Sequence, residues 1–175
     1  MNAVRPSSAT GLPRRRRSLE GVSFERLLVP DDCRDMFDRA AERVAATPEP
    51  SGDGFVHGDL WQGNTLWEGL RYVGAVDWDY AGVGPGGIDL GSLRFDVAVM
   101  FGPEAAAEVA IGWEAELGRP LELLAYWDAV SCLAGPADLA YWLPNFHAQG
   151  RADLSITTVT ARRNDFLATA LAELR

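Results

Sequence analysis

The sequence predicts a mainly helical α+β domain with one small β element set into it. Three observations carry this. Apolar residues recur at helical spacing along most of the chain. Only residues 55–78 show short extended patterns joined by a glycine-bearing connection. Glycine and proline then cut the helical stretches at regular intervals. At 175 residues this is one domain. An apolar share of 47% excludes wholesale disorder, and no apolar run approaches the roughly 18 residues of a membrane span.

Residues 1–30 open the chain as an Arg-rich leader expected to be disordered, and 31–175 form the domain. The arginine run at 14–17 reads as solvated tail. Asp31 and Asp32 start a helix, with Asp35 in its first turn. Met36, Phe37, Ala40, Val44 and Ala45 make its inner face, and Pro48 and Pro50 stop it. Residues 51–54 turn into a short strand, Phe55-Val56, that leads to His57. Residues 64–67 and 71–78 form a hairpin through Glu68-Gly69-Leu70. Residues 81–87 read as a glycine-rich loop. Helices follow at 88–101, 103–117, 121–133, 136–146 (interrupted by Pro144) and 155–174. Most of the six tryptophans are expected in the core.

The net charge of −9 and a pI near 4.7 argue against nucleic acid as the main partner. Cys33 and Cys132 are far apart in sequence and read as buried, reduced thiols. With no apolar signal core after the basic run, a cytoplasmic location is expected. All 16 basic residues are arginine, so chemistry that needs a lysine must find it elsewhere.

The chemistry concentrates in one stretch. His57-Gly58-Asp59 is followed, after four residues, by Asn64, and Asp77 lies at the end of the hairpin that Asn64 opens. A hairpin returns its ends to one place, so Asn64 and Asp77 should lie side by side. One amide oxygen and one carboxylate, with room for water and phosphate, suit Mg²⁺. Asp59 stands close enough to take a proton from a hydroxyl. This arrangement suits phosphoryl transfer, which needs positioning and charge neutralisation. The spacing is that of the protein kinase catalytic loop, H-R-D-x-x-x-x-N, with glycine in place of arginine.

Together with Val76-Asp77-Trp78-Asp79 and Ile88-Asp89-Leu90-Gly91, this pattern resembles the aminoglycoside phosphotransferase family of small-molecule kinases, from about residue 31 onward and most strongly over 55–100. The resemblance implies a protein-kinase-like C-terminal lobe with a β-hairpin at the catalytic loop. It implies that Asp59 orients or deprotonates the acceptor and that Asn64 and Asp77 hold Mg²⁺ on the phosphates of ATP. It makes His57 and Asp89 structural supports of the catalytic loop, and places Asp79 behind these groups or on the substrate side. Asp128, Asp138, Asn145 and His147 would lie on helices flanking the acceptor groove.

The implied partner is a small-molecule hydroxyl acceptor, with no nucleic acid and no membrane. Nothing before His57 resembles the N-terminal nucleotide lobe. The chain is therefore expected to be that family's catalytic lobe alone: a truncated product, a misassigned start or half of a split enzyme. It would pair with a separate lobe or self-associate. The alternative is a catalytically incompetent fragment that binds a substrate or partner. The acceptor is not legible.

Overall fold

The computed structural model describes residues 13–15, 31–136 and 138–174. Helix α1 (Asp31–Ala46) turns Phe37, Ala40 and Val44 inward, the spacing expected of one helical face, and ends ahead of Pro48. Helix α2 (Gly87–Phe101) is the centre of the molecule and is buried around nearly its whole circumference. Helices α3 (Pro103–Leu117), α4 (Leu124–Ala134) and α6 (Ile156–Glu173) pack on it, and α1 closes over α4 and α6. Gly91 permits the close approach of α4: a Cβ there would stand 2.6 Å from the carbonyl oxygen of Trp127. At the other end of α2, Arg162 donates to the carbonyls of Val99 (3.1 Å) and Met100 (2.9 Å), and Arg151 joins it on Met100. These cations meet the negative end of the helix dipole.

The β structure is two separate antiparallel ribbons. β2 (Thr65–Glu68) pairs with β3 (Arg71–Ala75), the expected hairpin, with a bulge after Leu66. β1 (Gly54–Val56) pairs with β4 (Gly82–Gly84). The stretch expected as a glycine-rich loop therefore contains a strand. Its ladder partner lies some 28 residues upstream, at Gly54↔Gly84 to Val56↔Gly82, a distance that local composition does not report.

Within the expected leader, residues 13–15 run beside β4. Val83 donates its N–H to the carbonyl of Pro13 (3.0 Å), Arg15 returns one to Val83 (2.8 Å), and Arg14 bridges to Asp53 (2.8 Å). A proline is tolerated there because it acts only as an acceptor at a sheet edge. The rest of the leader, at 1–12 and 16–30, lies outside the described residues.

The helix expected over 136–146 is a 3-10 turn (Leu139–Tyr141) followed by α5 (Leu143–Ala148). Pro144 sits in the first turn of α5 and starts that helix, since a first-turn residue needs no intrahelical N–H. The helix expected at 121–133 begins later, after Leu123 in the left-handed region at φ 54°. Of the six tryptophans Trp127 alone is fully buried, while Trp67 and Trp78 are 59% and 46% exposed. Among the described residues no second layer lies behind the hairpin, and its aromatic residues are at the surface. Cys132 is buried, and burial pushes its thiol up to about 12; Cys33 is half-buried. Among the described residues no helix is long and apolar enough to cross a membrane.

One ion pair ties three helices together. Arg94 of α2 grips Asp128 of α4 through Nε–Oδ1 and Nη2–Oδ2 contacts, both 2.9 Å, and donates to the carbonyl of Ala106 on α3. Both side chains are nearly buried, at 12% and 8% exposed. Burial pushes the Asp128 carboxyl up against the pull of Arg94. Removing one partner of such a pair strands the other charge. Arg94→Leu should therefore cost about 3–5 kcal/mol in urea unfolding, with Arg94→Leu/Asp128→Leu recovering most of it. An acid whose folded pKa lies above its unfolded one gains stability as pH falls through that window. Arg94→Leu should accordingly gain stability on acidification relative to Arg94→Leu/Asp128→Asn.

Candidate active site

The catalytic loop hangs from the start of α2. Asp89, in the first turn of that helix and buried, accepts the backbone N–H of His57 (2.7 Å) and of Gly58 (2.8 Å), one on each carboxylate oxygen. The positive end of the helix dipole favours a carboxylate at this point. His57, 2% exposed, lies against Trp78 and makes a 2.8 Å hydrogen bond to the carbonyl of Val76. A carbonyl only accepts, so Nε2 carries the proton. Nδ1 is left as the acceptor that faces the N–H of Asp59 at 3.4 Å. Gly58 explains the missing arginine of the kinase pattern. Its φ is +84°, and a Cβ there would fall 2.2 Å from the carbonyl oxygen of Tyr80.

Beyond Gly58 the loop closes through Asn64. The Asn64 amide donates to the main-chain carbonyl of Asp59 (2.9 Å) and lies 3.4 Å from its carboxylate. The Asn64 main-chain carbonyl accepts from the N–H of Val76 (3.0 Å), and Thr65 pairs with Ala75 in the ladder. Asp77 follows at once, exposed, in the left-handed region at φ 64°, a conformation that aspartate tolerates better than most residues. The register thus brings Asn64 next to the turn that carries Asp77, as the hairpin argument expects.

The donor set fits magnesium in kind. With the Asn64 nitrogen committed to Asp59, the amide oxygen is the atom left to serve as a ligand, and Asp77 adds a carboxylate. Hard oxygen donors, one of them anionic, are what Mg²⁺ takes when phosphates and water complete its shell. Among the described residues no group of three or more His, Cys, Asp or Glu could hold a metal. A cation here therefore depends on oxygens brought by a ligand.

Beside Asp59 opens a cavity of about 210 Å³, lined by Asp59, Trp61, Asp96, Trp142, Asn145 and Phe146. Asn145 thus borders this cavity. Asp128 is not, being held by Arg94 inside the helical body. Asp138 caps the 3-10 turn at Leu139 by accepting from Ala140 (2.8 Å), and His147 bonds the carbonyl of Leu154 (2.9 Å). Asp79 stands exposed on the 3-10 turn after Asp77 and does not border this cavity.

Asp96 was not among the residues that the sequence singled out. The signal was present: Asp96 follows Asp89 by seven residues, two helical turns, and so shares its face.

With this geometry in view, similarity to known proteins can be stated. The model of the phosphotransferase enzyme family matches residues 4–127, starting inside the stretch that composition marks as a leader. Curated protein sequences give no match. A crystal structure of a thermostable mutant of aminoglycoside phosphotransferase APH(4)-Ia, in its apo form, is similar at 16% identity and a TM-score of 0.47. The similarity covers 82% of this chain and 46% of that one, so the chain spans less than half the length of the solved protein.

The suspension of the loop from Asp89 is testable. Asparagine offers one acceptor and one donor where aspartate offers two acceptors, so one of the two loop N–H groups would lose its partner. Asp89→Asn should lower stability by about 2 kcal/mol in urea unfolding. Faster hydrogen exchange at His57 or Gly58, with α6 unchanged, would locate the loss.

Proposed function

The chain belongs to the phosphotransferase enzyme family, and from that premise we propose that it transfers the γ-phosphoryl group of ATP to a hydroxyl of a small molecule. The observation that carries this reading is the convergence of Asp59, Asn64 and the Asp77 turn on one loop pinned from beneath by Asp89.

In this reading Asp59 accepts a hydrogen bond from the acceptor hydroxyl. It turns a lone pair of the oxygen toward the γ-phosphorus and takes the proton as the new O–P bond forms and the bond from that phosphorus to the β–γ bridging oxygen breaks, with ADP as the leaving group. Phosphoryl transfer asks little covalent help of the protein, so fixing that oxygen is the main task of the loop. The Asn64 amide restrains Asp59 through its main chain and keeps the carboxylate in place. The Asn64 oxygen and the Asp77 carboxylate would hold magnesium, which when bound supplies neutralisation of charge on the phosphate oxygens. His57 and Asp89 support the loop without touching the reacting atoms. Asp79, exposed on the turn after Asp77, would stand behind these groups or on the substrate side.

A second reading has its own support. The chain holds no lysine, and arginine is its only permanently cationic side chain. Phe55, Trp67, Leu70, Tyr72 and Trp78 are exposed on the two ribbons and the turn after Asp77. A two-stranded ribbon with apolar surface is only marginally stable uncovered. Both facts suit a domain that meets a further nucleotide-gripping lobe or a second copy, and that alone binds acceptor or partner without turnover.

Wild type and Asp59→Asn separate the two. Magnesium-dependent ATP turnover in the presence of hydroxyl compounds should fall by about 10²–10⁴-fold in the variant. Nucleotide affinity by calorimetry should stay within a factor of two or so, since Asp59 faces the acceptor. Nucleotide binding by neither protein would favour the non-catalytic reading.

A further inference from the structure

A second cavity opens at the first turn of α2 and shares no lining residue with the one beside Asp59. Its volume is about 440 Å³, within the roughly 300–1,000 Å³ of small-molecule sites. Trp113 and Leu117 of α3, Trp127 of α4 and Leu121 from the loop between those helices give it an apolar, largely aromatic wall. Glycine lets both indoles seat against the backbone of α2. A Cβ at Gly86 would stand 3.1 Å from Cζ2 of Trp113, and one at Gly87 would fall 2.2 Å from Nε1 of Trp127.

Four charged side chains border this space. Two are answered within the fold: Asp53 by Arg14, and Asp89 by the amides of the catalytic loop. Arg119 and Glu122 are exposed and make no ion pair or hydrogen bond among the described residues. Both belong to the loop between α3 and α4, which two left-handed residues turn, Gly118 (φ 70°) and Leu123 (φ 54°). Leucine adopts that conformation at a cost, one that folds keep where a loop must hold its side chains in place.

We propose that this cavity binds a free aromatic amino acid, with its ring among the indoles and its carboxylate and ammonium on Arg119 and Glu122. The wall suits a flat apolar ring. A neutral aromatic molecule would leave both charges of the loop unused. A simple acid or a simple amine would meet one complementary charge and one like charge. A zwitterion on a short stem meets both as opposites. Asp89 borders the cavity as well, so the occupant packs against the residue that holds the catalytic loop. Neither ATP nor a hydroxyl acceptor enters this argument, and it stands apart from the phosphotransferase reading.

The test is calorimetry with L-tryptophan, with tryptamine, which lacks the carboxylate, and with indole-3-propionate, which lacks the ammonium. Wild type should bind L-tryptophan at least about tenfold more tightly than either, the scale of one charge-assisted contact. Arg119→Gln should remove the advantage over tryptamine, and Glu122→Gln the advantage over indole-3-propionate. Both positions are exposed and unpaired, so both variants should keep the native thermal unfolding. In nitrogen–proton correlation spectra the Trp113 indole signal, assigned through Trp113→Phe, should shift as L-tryptophan saturates the protein. Absence of L-tryptophan binding, equal affinity for the three compounds, an advantage that survives in the matching variant, or an unmoved Trp113 signal overturns the proposal. No nucleotide is present, so none of these outcomes depends on phosphoryl transfer.

Discussion

The structure depends on one carboxylate holding two consecutive backbone amides. Asp89 sits where α2 begins and fixes the N–H groups of His57 and Gly58, just ahead of Asp59. Two charge-assisted bonds in a buried setting set the height and direction of the loop more firmly than any contact made by the loop's own side chains. Every functional distance is measured from that attachment. Asn64 closes the loop onto Asp59, and the hairpin carries Asp77 back to Asn64. Because Asp89 is anchored in the most buried helix of the molecule, loop position and core packing are mechanically one thing.

The same helix explains the division between firm and exposed parts. α2 is enclosed by α3, α4 and α6, and its charges are answered in place: Arg94 by Asp128, and the terminal carbonyls by Arg151 and Arg162. The β2–β3 ribbon has no such enclosure among the described residues. Phe55, Trp67, Leu70, Tyr72 and Trp78 are exposed on the short strands and their turns, and among the described residues their ring contacts are with one another and with His57. The molecule thus pairs a rigid helical base with a surface whose apolar groups are available for association.

Much of the site was legible because its signals are local. His57, Asp59 and Asn64 are separated by fixed short intervals, and a hairpin between 64 and 77 follows from alternation and one glycine. Helix ends at 46, 101 and 117 were marked by proline and glycine. What escaped were relations between distant segments. The pairing of β1 with β4, the seating of residues 13–15 on Val83 and the burial of Asp128 under Arg94 all join parts of the chain that share no local pattern. The tryptophans were misplaced for a similar reason: an indole is equally at home in a core or on a ribbon, and only the presence of a covering layer decides.

By itself, then, the sequence determined the chemical inventory and its order: an acid, an amide and a second acid spaced around a turn, and a third acid at a helix start. Those follow from backbone geometry over a few residues, where spacing dictates reach. The tertiary structure decided which further acid joins them. Asp128 and Asp96 both lie on buried helices, yet Asp128 is gripped by Arg94 inside the bundle while Asp96 borders the cavity beside Asp59. Helical periodicity assigns a side chain to a face, but the neighbour that face meets is set by packing across the whole domain.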